Sequence, residues 1–131
     1  GVVKAAQQII DFVKAGYLPI LICRFLNPLV EQYKNTPIHF IELSPSYNLF
    51  CDVKYKGLSF QDYTIRYMDE MKNTDIYSIL NKIKSLVDQS NAKGAVLMCY
   101  EKNPLECHRS ILSRIINELN ILPNKVVELY N

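Results

Sequence analysis

Two short runs in this chain are apolar almost from end to end: "YLPILICRF" at residues 17–25 and "AVLMCY" at residues 95–100. Neither alternates apolar with polar residues, as a strand with one wet face does. Both are far shorter than the roughly 18 apolar residues of a membrane-spanning helix. Strands of this kind are buried on both faces, which requires helices above and below the sheet. The intervening segments supply those helices. In residues 3–15, Ala6, Ile9, Ile10 and Val13 recur at helical spacing, and Gly16 follows as a stop. "NPLVEQYKN" at 27–35 reads as a short helix, with Asn27 as cap and Pro28 in its first position. "IHFIEL" at 38–43 reads as a strand. Ser44-Pro45 then opens a helix by the same cap-then-proline logic, through Tyr47, Leu49 and Phe50.

Ser59 followed three residues later by Asp62 marks a further helix start, and Phe60, Tyr63, Tyr67 and Met71 fall on one face. Thr74 is placed to cap the next helix, which buries Ile76, Ile79, Leu80, Ile83, Leu86 and Val87. Lys54-Tyr55-Lys56 reads as a solvated turn rather than a binding patch. Gly94 precedes "AVLMCY". A last helix ends near Leu122-Pro123, and "KVVELY" at 125–130 reads as a final strand. Helices alternating with short apolar strands predict an α/β fold, a single domain over residues 1–131. The sheet is mainly parallel and flanked by helices, in a three-layer, Rossmann-like arrangement, with "AVLMCY" expected at its centre. The chain opens Gly-Val rather than with Met, which reads as a trimmed start with an N-terminal strand missing before it.

A chain of 131 residues can bury roughly two thirds of its unfolded surface, so its core needs neither disulfides nor a structural metal. Net charge is +2, too small by itself to imply nucleic acid. Cys23, Cys51, Cys99 and Cys107 match no zinc-ribbon or CxxC spacing, and no secretory signal is visible. Reduced thiols in a cytoplasmic protein, with no membrane partner, are the expectation.

In open α/β sheets, ligands bind beyond the carboxyl ends of the strands. "AVLMCYE" brings Cys99, Tyr100 and Glu101 to that edge. Cys107, His108 and Arg109 follow where a helix begins, and a helix start attracts anions through its N–H groups and dipole. Arg109 would add a forked donor suited to phosphate or carboxylate. Two helix starts are open. Asn103 as cap, Pro104 first and Glu106 completing a capping box put Cys107 one turn inside the helix. The core stripe then runs through Leu105, Leu112, Ile115, Ile116 and Leu119, with His108 inside it, Arg109 on its flank and Cys107 off it. A loop running to Glu106 instead puts Cys107 in the first turn, where a thiolate is stabilised. Each residue also has a purely structural reading: an inert helix cysteine, a core histidine with one hydrogen-bond partner, an arginine paired with Glu101 or Glu106. Cys99, Cys107 and His108 make three soft ligands where a structural zinc site wants four, so no metal or cofactor is expected. Arg24, ending "PILICR", reaches the same edge. Tyr63 and Tyr67, one turn apart, read first as core and second as a stacking surface at the site's rim.

"LSPSYNLF", "LSFQDYTIRYMDEM" and "VLMCYEKNPLECHRSIL" resemble, in order, the signature blocks of the domain-of-unknown-function 488 family. Those blocks are a Leu-x-Pro-Ser element, a Tyr-x-x-x-Tyr helix, and a Leu-x-Cys-x-Glu strand leading into Cys-His-Arg. The resemblance covers roughly residues 17–119. It implies a small α/β domain of prokaryotes and their mobile elements, with no established reaction. It singles out Ser44, Pro45, Tyr63, Tyr67, Cys99, Glu101, Cys107, His108 and Arg109. It also likens Arg24 with Pro28 to an early strand that ends in arginine near a proline.

Two classes of function follow. In the first, the chain binds or processes an anionic small molecule, phosphate- or nucleotide-bearing. Cys107, His108, Arg109 and Glu101 are its catalytic candidates, and Arg24, Tyr63, Tyr67 and Cys99 its ligand-binding residues. The sequence has no phosphate loop and no Cys-x5-Arg phosphatase loop. In the second, a non-catalytic module binds nucleic acid or a protein through Arg24, Arg66, Arg109, Arg114 and Tyr63, and Cys-His-Arg is mainly structural.

Overall fold

The apolar run after Gly16 lies between the other two described strands of the sheet. A computed structural model describes residues 2–24, 38–99 and 108–119. Helix α1 (Val2–Lys14) leads into strand β1 (Leu18–Leu21). Strand β2 (Ile38–His39) runs into a 3-10 turn at Ile41–Leu43. Helices α2 (Tyr47–Lys56), α3 (Phe60–Lys72) and α4 (Ile76–Gln89) follow, then strand β3 (Ala95–Met98) and helix α5 (His108–Leu119). The fold is α/β: a small parallel sheet in the order β2-β1-β3, flanked by helices. Ile20 pairs with Ile38 on one side of β1 and with Leu97 on the other.

Whether "AVLMCY" is central to the whole sheet turns on the expected strand at 125–130, which lies outside the described residues. Among the described strands, β1 has a neighbour on each side and β3 pairs with β1 alone. Burial agrees: Ile20, Leu21 and Ile22 are wholly buried, whereas Ala95 is exposed and Val96 and Leu97 are half-buried. An unbroken apolar run shows that a strand is covered, but not how many strands flank it.

Helix boundaries follow local hydrogen bonding more closely than motif spelling. The expected strand at 38–43 stops at His39. The last ladder bond runs from the Phe40 N–H to the Leu21 carbonyl, and Leu43 N–H and Ser44 N–H then close back onto Phe40 and Ile41. Ser44 does not cap α2. Its hydroxyl donates to the Ile41 carbonyl and so ends the 3-10 turn, while Pro45 holds Ser44 extended. Ser46 is the cap: its oxygen accepts from Leu49 N–H at 3.1 Å. Both oxygens of Glu70 on α3 accept from Ser46, one from its N–H and one from its hydroxyl. Asp75, not Thr74, caps α4, accepting from Ser78 N–H, while the Thr74 hydroxyl turns back to the Glu70 carbonyl. Ser59 caps α3 as expected, accepting from Asp62 N–H. Lys54-Tyr55-Lys56 is solvated but helical, forming the last turn of α2 before Gly57, whose φ of +64° suits a residue without a Cβ.

The core joins Ile20 and Leu21 of β1, and Ile22 just beyond it, to Leu43, Leu49, Tyr67, Ile79, Leu80, Ile83, Ile111, Leu112 and Ile116. On α5, Leu112 and Ile116 are buried as the stripe predicts, joined by Ile111, while Ile115 is half-buried and Leu119 emerges. No helix among the described residues is long and apolar enough to cross a membrane. The expected helix at 27–35, the helix end near Leu122-Pro123 and the strand at 125–130 lie outside the described residues.

Candidate functional site at the carboxyl edge of the sheet

Three successive carbonyls at the end of β1 each meet a different donor. The Leu21 oxygen accepts from Phe40 N–H. The Ile22 oxygen accepts from Nε2 of His108 at 2.6 Å, and the Cys23 oxygen from Nε2 of His39, also at 2.6 Å. A carbonyl only accepts, so both imidazoles carry a proton on Nε2. These are the only two histidines in the chain. One reaches in from β2 and the other from the start of α5, and together they pin the backbone that delivers Arg24.

Arg24 is half-buried. Its Nε is fully buried and has no hydrogen-bond partner among the described residues. That is unusual, because a buried N–H without an acceptor costs roughly 1–3 kcal/mol, and more when the group is charged. Cys99, one residue beyond β3, is buried beside this edge, and Ile22 N–H donates to the carbonyl of Met98 next to it. Cys23, Cys51 and Cys99 are not joined in disulfides.

A ladder of rings supports the His108 side of the edge. Phe60 and Tyr63 stack at 6.1 Å between centroids, Tyr63 and Tyr67 at 6.3 Å and 9° between planes, and Tyr67 meets the His108 ring at 5.6 Å. The spacing of Phe60, Tyr63 and Tyr67 on α3 builds this column, and His108 extends it onto α5. Tyr67 is wholly buried and its hydroxyl donates to the Leu43 carbonyl at 2.6 Å; Tyr63 is 7% exposed. His108 is 2% exposed. Arg109, the next residue, is half-buried on the flank of α5. Tyr100, Glu101 and Cys107 lie outside the described residues.

The structure therefore brings Arg24, Cys99 and His108 to one edge, with Tyr67 and Tyr63 behind His108. Arg66 is hydrogen-bonded to Asp52, whose carboxyl it holds below the usual range, and Lys56 adds to that effect. Arg114 is exposed on α5, whereas Tyr63 is in the core. An open groove along α3, lined by Ile65, Arg66, Met68, Asp69, Glu70 and Lys72, includes none of the residues at the β1 edge. No cluster of three or more metal-ligating side chains occurs among the described residues. His39 was not among the residues the motifs single out. Its partner is a backbone carbonyl 16 positions earlier, which no local spacing reveals.

A family model described as the active DUF488-N3 subclade, DUF488-N3a, matches residues 17–120. This chain belongs to the DUF488 family. The match runs from just before β1 to the end of α5 and so spans every described residue at the edge of the sheet. Neither the curated proteins nor the solved structures compared with the chain gave a match.

Proposed function

We propose that this DUF488 protein binds an anionic small molecule, phosphate- or nucleotide-bearing, at the carboxyl edge of its parallel sheet. The observation that supports this most is the buried, unpartnered Nε of Arg24 beside the end of β1. An oxyanion there would satisfy a donor whose burial is otherwise unfavourable, and the guanidinium supplies a fork shaped for it. Arg109, next to His108 in the first described turn of α5, would add a second guanidinium to this edge. Cys99 lines the edge. Tyr63 and Tyr67 act through His108 by holding its ring, and His108 acts as a positioning group because its Nε2 is engaged by Ile22. Where the ligand is processed rather than only held, Cys107 is the nucleophile and Glu101 the proton-handling carboxylate.

Melting the protein with a panel of nucleotides and phosphorylated metabolites tests this. A ligand at about 100 times its Kd stabilises by about 2.7 kcal/mol. That gain should vanish in Arg24→Ala and shrink in Arg109→Ala. A panel without effect, or undiminished stabilisation of Arg24→Ala, refutes the reading. For the processing step, Cys107 should alkylate faster at neutral pH than cysteine in a short peptide; an equal rate removes it as nucleophile.

The burial of His108 in a backbone hydrogen bond favours a second reading, a non-catalytic nucleic-acid or protein module in which Cys-His-Arg is mainly structural. Its nucleic-acid form requires affinity for mixed-sequence DNA or RNA that falls steeply with salt. Salt-independent association would exclude it.

A further inference from the structure

We infer that His39 is a positioning residue of the Arg24 site, and that the site takes a ligand group offering two oxygens in one plane. The inference rests on the anion-binding reading above and adds the residue that aims the arginine. In a parallel ladder that continued beyond β2, the N–H of Glu42 would serve the Cys23 carbonyl, two residues past the bond from Phe40 to Leu21. The chain turns away instead at Ile41–Leu43. The His39 imidazole takes the place of that backbone donor at 2.6 Å. It reaches from the β2 position paired with Leu21 to the peptide that joins Cys23 to Arg24. His108 holds the preceding carbonyl from the other side. With both peptides fixed, Arg24 leaves the sheet in one direction only.

The buried Nε then defines the grip. Guanidinium binds side-on through Nε–H and one terminal N–H, which are parallel and match two oxygens of a phosphate or a carboxylate. A lysine at this position would keep the charge and lose the fork. His39 touches no ligand; it acts through the Cys23–Arg24 peptide. Its imidazole donates from Nε2 whether neutral or protonated, so the proposal concerns a donor and not a charge.

Titration calorimetry of the intact protein with inorganic phosphate, and separately with acetate, tests this and distinguishes the two sources of the oxyanion. The wild type should bind at least one of them saturably. Arg24→Lys should weaken it tenfold or more, the loss expected when a fork becomes a point charge. His39→Ala should weaken it roughly three- to tenfold, the worth of one lost hydrogen bond. His39→Gln, which keeps a donor at similar reach, should recover to within about twofold of wild type. Ser46→Ala, which loosens the α2–α3 junction instead, should melt earlier and bind as wild type. Should His39→Ala fail to fold, His39→Leu, bulkier and without a donor, carries the comparison. Wild-type affinity in the donor-free variants, or a glutamine variant as weak as alanine, overturns the role of His39 and leaves Arg24 as the anion ligand. A wild type that binds neither anion, with Arg24→Lys indistinguishable from it, overturns the anion reading and this inference together.

Discussion

Replacing His108 with alanine tests whether the imidazole is a clasp between helix and sheet. His108 is 2% exposed and Ile22 is wholly buried, so the carbonyl left behind has no water to turn to. An orphaned buried acceptor costs roughly 1–3 kcal/mol. The missing ring also opens a void against Tyr67, which packs on it at 5.6 Å. Phe→Ala changes in cores cost about 3–5 kcal/mol, and a smaller imidazole belongs near or below the lower end, about 2–3 kcal/mol. The two effects share the same relaxation, so the expected loss is about 3–5 kcal/mol. His108→Gln keeps a donor and part of the volume and should lose about 1–2 kcal/mol. The chain has no tryptophan, so urea unfolding is followed by circular dichroism, with the slope expected to stay constant and the midpoint to fall. An alanine variant within about 1 kcal/mol of wild type would refute the clasp. A glutamine variant as damaged as alanine would show that packing, and not the donated hydrogen bond, carries the effect.

Three further outcomes are expected. Ser46→Ala removes a helix cap and one of two bonds to Glu70, and should cost about 1–2 kcal/mol in the same unfolding assay. Folding lowers the pKa of Asp52, chiefly through Arg66, so the ion pair supports the fold above the ordinary carboxylate range and ceases to do so as acid protonates the folded group. Melting curves of wild type and Asp52→Asn should therefore diverge at neutral pH, converge in acid, and converge again in high salt. The hydrogen bond to Cys51 raises the pKa of Tyr47, with charge repulsion between the two adding to it. Cys51→Ala should bring the Tyr47 phenol back toward its ordinary value in an NMR titration, and an unmoved curve would contradict the pairing.

The elements were legible where periodicity carries the information. Tyr63, Tyr67 and Met71 on α3, and Ile76, Ile79, Leu80 and Ile83 on α4, are buried where a 3.6-residue repeat puts them. Capping is less legible, because Ser44 and Thr74 spell the same local motif as Ser46 and Asp75. What separates them is where each hydroxyl is already committed, and Ile41 and Glu70 decide that. Strand order is not legible locally, because it depends on pairings between residues far apart in the chain, as Leu18 with Ala95. At the site, Arg24, Cys99 and His108 were marked by their place after apolar runs, and the inward turn of His108 followed from its helical phase. His39 was not marked, since a side chain that replaces a missing backbone donor leaves no pattern in neighbouring residues.

The pairing of β1 with β3 also sets a schedule for synthesis. Leu18 must wait for Ala95, and Leu21 for Met98, before that side of β1 is occupied. At about 5–20 residues per second, a ribosome needs several seconds to deliver the partner strand. Helices α2, α3 and α4 lie wholly within that interval and can form from local contacts alone. Meanwhile Ile20, Leu21 and Ile22 present an apolar edge that any extended chain can pair with. A nascent chain stalled before β3 emerges is thus a sticky species, suited to capture by a chaperone, while one more short strand would bury the same residues completely.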